Sequence, residues 1–475
     1  MEDFGAHDAL GLAELVAAGE VKPEELLDEA IRRVESVDPR LNAVVIRCYD
    51  EARRSVAAGL PEGPFRGVPF LLKDLHLGTP GVRTTSGSRF FADYVAEREA
   101  ELVTRYRAAG LVVFGKTHSP EFGLTTSSES KLFGQTRNPW APEHTAGGSS
   151  GGAAAVVAAG ILPAANATDG GGSIRVPASC CGVFGLKPTR GRTPMGPEVG
   201  EGWSGMSAMH AVTRSVRDSA ALLDATAGPA VGDPYAAPAA ARPFLDEVGA
   251  APGRLRIALQ TTTWNGAPTH PECVAAAEDA ARLCRELGHE VTEANLEVDA
   301  EKLREATLTV ISANLRATLE DRAAVLGRPF TQDDVELATF FMAQGAASRD
   351  AAAYARAIRV LHASGRQVGH FLTRYDVILT PTLATPPLPL GALSLSPADP
   401  AAYLAALNQT IGFTQLFNVS GSPAMSVPLF WSDAGLPVGV QFAGRFGDEA
   451  TLLRLAAQLE EARPWADRRP AIRAA

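Results

Sequence analysis

No stretch of the 475-residue chain is long and apolar enough to span a bilayer. The longest small-apolar run, Ala153 to Ala159 continuing through Ile161 and Leu162, is broken by Gly160 and ended by Pro163, short of the roughly 20 residues a membrane helix needs. Met1, Glu2 and Asp3 stand where a secretory signal carries basic residues and an apolar core, so the expectation is a cytoplasmic protein with no membrane contact. Lys and Arg form no cluster. With 44 basic against 54 acidic side chains and a formal net charge of −10, no patch is equipped to neutralise phosphates, which argues against nucleic acid as a partner. Cysteine is scarce: Cys48, Cys180, Cys181, Cys273 and Cys284 make an odd set without framework spacing, read as reduced structural thiols. There is no His-Glu-x-x-His, no Cys-x-x-Cys and no cluster among the nine histidines, so no metal site and no cofactor is implied.

What the chain does have is apolar residues, at 46%, enough for one large domain or two closely joined ones. Pro23, Glu24 and Glu25 ahead of Leu26, Leu27, Ala30, Ile31 and Val34 read as a helix start, and the first sixty-odd residues as mainly helical. Val68 to Leu72 and Leu111 to Phe114 are short apolar runs bounded by Gly or Pro, with a helical Glu97 to Ala109 between them. This alternation suggests an α/β layered core. Gly228 to Arg254 is rich in Ala, Pro and Gly and reads as a surface excursion. Beyond it come a strand-like Leu255 to Gln260, a helical Pro271 to Leu287, a long helical region from about Glu301 to Phe371, and strand patterns at Val377 to Leu379, Ser426 to Leu429 and Val438 to Phe442.

Two motif matches lose their meaning in context. Gly110 to Thr117 fits the phosphate-binding Gly-x-x-x-x-Gly-Lys-Thr, but Leu-Val-Val-Phe is strand material whose N–H groups belong in a sheet, giving a buried strand followed by a turn. Gly147 to Gly151 fits the Gly-x-Ser-x-Gly nucleophile elbow. An elbow needs a preceding buried strand, and Asn138 to Ala146 carries two prolines, so Ser149 emerges from a loop; His210, His270 and His370 sit in no triad frame.

The densest special sequence is a pair of glycine-serine segments, GGSSGG at 147–152 and DGGGSIRVPAS at 169–179. Glycine is costly to order, by about 0.5 to 1 kcal/mol each relative to alanine. Three glycines before Ser173 allow backbone N–H groups to converge, as an oxyanion hole beside a nucleophile requires; the plainer reading is a glycine-rich turn with an incidental serine. A serine needs a base. No histidine lies in the segment, which leaves lysine, and Lys73 ends an apolar run that would carry its amine out of water. Taken alone, such a lysine equally fits a snorkelling side chain or half of an ion pair.

These segments, with Gly67-Val68-Pro69, Lys73-Asp74, Gly115-Lys116-Thr117 and Gly185 to Gly191, resemble the amidase signature hydrolases. Looser similarity runs through Asp376 to Thr382, Phe417 to Gly421 and Gly435 to Gln441, so nearly the whole chain is covered. The resemblance implies a single amidase domain over 1–475, with a mixed, twisted central sheet covered by helices on both faces. Within it, 1–65 is a helical N-terminal part, 66–227 the catalytic signature core, 228–254 the excursion, and 255–475 the substrate-pocket helices and remaining strands. It implies Ser173 as acylated nucleophile, Ser149 as the serine that follows a cis peptide, and Lys73 as general base. The N–H groups of Gly170, Gly171, Gly172 and Ser173 are implied as the oxyanion hole, with Ser128, Asp169 and Arg175 in support. Many members carry Thr or Ile where this chain has Gly170, and the departure implies more room or a looser floor at the acyl carbon.

A small-molecule amide is the implied substrate, and a homodimer is a family-level expectation. Segments 328–336, 417–423 and 463–470 look most like hydrolases of 6-aminohexanoate cyclic dimer, with the pocket expected from the helix around Thr309 to Thr318. Aryl-amide, ester or carbamate cleavage stays open, as does the amidase-like subunit of a tRNA-dependent amidotransferase.

Overall fold

The computed structural model of the chain describes residues 4–474; Met1 to Asp3, and the reading of the N-terminus that rests on them, lie outside the described residues. The strands are β1 (Val44–Arg47), β2 (Pro69–Lys73), β3 (Val112–Thr117), β4 (Glu129–Ser130), β5 (Gly134–Gln135), β6 (Ala164–Asp169) and β7 (Phe184–Lys187). They continue with β8 (Ala208–Thr213), β9 (Arg256–Leu259), β10 (Glu290–Glu293), β11 (Val377–Pro381), β12 (Ala424–Trp431) and β13 (Pro437–Gly444).

Eight of them form one mixed sheet in the order β10-β9-β11-β13-β12-β7-β8-β6, parallel from β10 to β11 and antiparallel thereafter. Side chains alternate across it, as a period of two dictates. Val377 and Leu379 join Ile257, Val440 and Phe442 under the helices Pro271–Glu286 and Glu449–Ala462. Ile378 and Ala258 face the opposite way, into a core with Val310, Leu361 and Val368 from the helices Ala300–Leu326 and Ala351–Phe371. Helices therefore cover both faces, which is why these strands read as unbroken apolar runs.

A smaller sheet, β1-β3-β2, packs its β2 against β6 and so brings the end of β2 to the end of the large sheet. Its edge strand β1 lies in the stretch read as mainly helical. The turn expected after Phe114 is likewise absent: β3 continues to Thr117 because β1 pairs beside it, Arg47 opposite Gly115. Gly115 is required there, since a β-carbon would sit 2.5 Å from Ile46 O. Lys116 is buried, its Nζ donating to Leu77 O at 3.0 Å and Thr84 Oγ1 at 2.5 Å, so nothing there is open to a phosphate. Segment 228–254 is irregular apart from the single turn Leu245–Glu247. Among the described residues no helix is long and apolar enough to cross a membrane.

Candidate active site

Lys73 is the last residue of β2 and is 0% exposed. Its Nζ lies 2.6 Å from Ser149 Oγ and 2.9 Å from Thr168 Oγ1, and its backbone N–H donates to Asn166 Oδ1 at 3.1 Å. Burial brings its pKa down to about 7, against the opposing pull of the Asp169 charge. An amine in apolar surroundings loses hydration chiefly in its charged form, so the neutral, basic form is accessible near neutrality. Asn166 and Thr168 alternate with alanines along β6, which puts both on the face turned to β2.

Ser149 follows a cis peptide bond with Gly148 and lies in the loop leading into the helix Gly151–Ala158. Ser128 ties this loop down: its hydroxyl donates to Gly147 O at 3.2 Å and accepts from Gly151 N–H at 2.9 Å. Ser127 presses on the same turn, where a β-carbon at Gly148 would lie 2.5 Å from its carbonyl oxygen. No strand leads into Ser149 and its partner is a lysine, so an elbow-type triad is not assembled.

After β6 the chain wraps around the Asp169 carboxylate. Oδ1 accepts from Gly172 N–H at 2.7 Å, and Oδ2 from Ile174 N–H at 3.0 Å and Arg175 Nε at 2.9 Å. Arg175 Nη2 closes the fork on Oδ1 at 2.9 Å. Its remaining donors reach Thr414 O, Gln441 Oε1 and Asn418 Oδ1 at 2.9, 2.7 and 2.6 Å. Burial alone would raise the Asp169 carboxyl, but the Arg175 charge and hydrogen bonds, helped by Lys187 and Asn418, hold it below the usual carboxylate range. This fully buried, fully bonded pair fixes the turn that carries Ser173.

Two expectations change. The Gly172 N–H is taken by Asp169, which leaves those of Gly170, Gly171 and Ser173 without an acceptor among the described residues. The space beside Gly170 is not empty either: a β-carbon there would come within 2.6 Å of Trp203 Cζ3. The indole fills the room the missing side chain leaves, so the floor is aromatic and closed rather than loose.

Ser149, Thr168 and Ser173 line one small cavity of about 20 Å³ with Phe122 and Trp203. Ser173, Gly170, Gly123 and Trp203 also border a cavity of about 710 Å³ opening outward. That cavity is walled by Leu303, Thr307 and Ile311 of the helix Ala300–Leu326, by Phe341 and Met342 of Leu337–Ala346, and by Leu404 and Leu407 of Pro400–Ile411. The expected window of Thr309 to Thr318 is thus displaced toward the helix N-terminus, because Leu315 and Leu319 turn into a separate core with Phe90 and Phe122. Its charged lining, Glu301 and Arg304, is paired within itself at 2.5 Å. The five cysteines are buried and unpaired, and burial pushes the Cys180 thiol up to about 12. None approaches the state of an activated nucleophile.

A family model described as Amidase matches residues 25–453. The chain belongs to the amidase family. It is 40% identical over 478 residues to the 6-aminohexanoate-cyclic-dimer hydrolase of Paenarthrobacter ureafaciens, covering 98% of this chain and 96% of that one. A solved 6-aminohexanoate cyclic dimer hydrolase in complex with substrate superposes with a TM-score of 0.94 at 39% identity, covering 99% of each chain. A bacterial aryl acylamidase of the amidase signature enzymes gives 0.87 at 29%, covering 97% of each. The protein is an amidase, acting on carbon–nitrogen bonds, with the amidase signature fold.

In this amidase the sequence had pointed to Lys73, Ser149, Ser173, Ser128, Asp169 and Arg175. Sequence reasoning missed Thr168 and Asn166, whose signal was two polar residues spaced by two in an otherwise alanine-rich strand. Asn418 and Gln441 fell inside the looser family-like segments but received no role there, lying more than 200 residues along the chain from the Arg175 they hold, and Trp203 gave no local signal.

Proposed function

We propose that the protein hydrolyses carboxamides through an acyl-enzyme, with Ser173 as nucleophile, Ser149 as proton relay and Lys73 as general base. The observation that carries this is the buried, carboxylate-free contact of Lys73 Nζ with Ser149 Oγ at 2.6 Å. Ser173 Oγ attacks the carbonyl carbon as its proton passes to Ser149 and the Ser149 proton to neutral Lys73. The N–H groups of Gly170, Gly171 and Ser173 face the developing oxyanion. On collapse, Lys73 returns its proton through Ser149 to the leaving amine, and water repeats the sequence to free the acid and Ser173.

As substrate we propose 6-aminohexanoate cyclic dimer and related oligoamides. The likeness to hydrolases named for that dimer supports this, as does a cavity lined mostly by apolar side chains with no unpaired charge. Aryl amides, esters and carbamates are the alternative class.

Labelling with a fluorophosphonate, with the dimer, an anilide and glutamine assayed in parallel, tests the reading. Labelling lost in Ser173→Ala and dimer turnover by the isolated chain are expected. Label retained in Ser173→Ala but lost in Ser149→Ala would reassign the nucleophile, and an isolated chain that turns over neither glutamine nor the simple amides would point to an amidotransferase subunit that needs its partners.

A further inference from the structure

Two buried carboxylates show the usual pairing with a cation: Asp169 has Arg175 and Glu449 has Arg192. Among the described residues Glu121 has none, although it is 1% exposed. Its Oε1 lies 2.7 Å from Ser88 Oγ, and its Oε2 accepts the backbone N–H of Glu336 at 2.8 Å. Both ends of that link lead to the substrate cavity. Glu121 opens the short turn Glu121–Gly123, and Gly123 is so close to the catalytic serine loop that a β-carbon there would lie 3.1 Å from Ser149 Oγ. Glu336 is the N-cap of the helix Leu337–Ala346, which carries Phe341 and Met342 into the cavity wall.

We propose that Glu121 is a positioning residue for substrate binding, its carboxyl joining the turn beside Ser149 to the helix that walls the cavity. This rests on the reading of the 710 Å³ cavity as the amide site.

The surroundings favour a neutral carboxyl. Ser88 Oγ donates to Oε1 and Glu336 N–H to Oε2; these bonds favour the charged form, and it is burial without a neighbouring cation that outweighs them. The charged group acting on it is Glu336, whose own oxygens accept from Lys131 N–H and Ser396 Oγ, each at 2.8 Å. Glu129, the next carboxylate in the cluster, accepts from Gln135 Nε2 and Gly391 N–H. Basic side chains of the adjoining elements are engaged elsewhere: Arg89 with Lys131 O, Arg322 with Phe90 O and Asp93, Arg328 with Asp334. Burial, with a smaller push from Glu336, raises the Glu121 pKa to about 7. A raised carboxyl contributes fully below its ordinary range and loses that contribution as pH climbs through about 7. Ionisation then sets an unpaired charge against Glu336 and loosens the link.

The experiment is kcat and KM for a neutral amide across about pH 6 to 9 in wild type, Glu121→Gln and Glu121→Ala. Amide hydrogen exchange of 337–346 is followed in the same proteins without substrate. Glutamine copies the neutral carboxyl. Wild-type KM should rise about fivefold above neutrality while Glu121→Gln stays flat and low. Glu121→Ala should be high throughout, and kcat should keep the same pH limb in all three. Protection of 337–346 should fall with pH, beyond the intrinsic rate, in wild type but not in Glu121→Gln. Parallel KM profiles, or protection that does not differ between wild type and Glu121→Gln, would overturn the proposal. The exchange measurement decides it even if no amide is turned over, an outcome that would count against the functional reading alone.

Discussion

Trp203 lies directly over Gly170, so that a β-carbon at position 170 would meet indole Cζ3 at 2.6 Å. One residue therefore lacks a side chain because another, 33 positions later, occupies its space. Gly170→Ala should displace the ring and disturb the adjacent N–H groups, lowering kcat/KM by about tenfold or more. Gly170→Ala combined with Trp203→Leu should recover part of that loss. Steady-state kinetics of the single and double variants check the coupling, and additive losses would show that the contact is incidental.

In the proposed mechanism the Lys73 amine must be neutral to accept a proton, and burial lowers its pKa to about 7. Below that value the amine is charged and activity is lost; above it activity reaches a plateau. The expected kcat/KM profile rises through about pH 7. Lys73→Met should abolish turnover while leaving Tm near that of wild type, since an apolar side chain of similar length suits the buried site. A profile that rises toward acid would contradict the role.

Thr168 Oγ1, at 2.9 Å from Lys73 Nζ, shares the amine with Ser149. Thr168→Val keeps shape and removes only the hydroxyl. The amine then has one fixed partner instead of two, and kcat should fall by about tenfold with little change in KM. Thr168→Ser should restore most of it, which a packing defect would not explain.

Arg175 and Asp169 are both 0% exposed. Arg175→Met leaves a buried carboxylate without its cation and strands Asn418 and Gln441, which should cost about 3 to 5 kcal/mol of stability. Thermal unfolding reads this as a lowered Tm. The defect should also move the Ser173 turn and reduce activity more than stability alone predicts at permissive temperature.

Much of the site was legible because it is local. The glycine-serine segments and the apolar run ending at Lys73 are contiguous, and backbone chemistry alone makes them unusual. Apolar runs gave β2, β3, β9, β11 and β13 to within a few residues, since a strand covered on both faces needs no pattern beyond hydrophobicity. Strand β1 escaped, since Val44–Arg47 is short and pairs with a partner about seventy residues away.

The sequence by itself determined which groups are candidates for the chemistry: a serine after three glycines, a second serine in GGSSGG, and a lysine at the end of a buried strand. Only the tertiary structure decided that Gly172 gives its N–H to Asp169, that Trp203 closes the floor, and that Ile311 rather than residues nearer Thr318 faces the cavity. The reason is physical: hydrogen-bond partners and contacts are set by distance in space, and these partners come from elements that meet only once the sheets are packed.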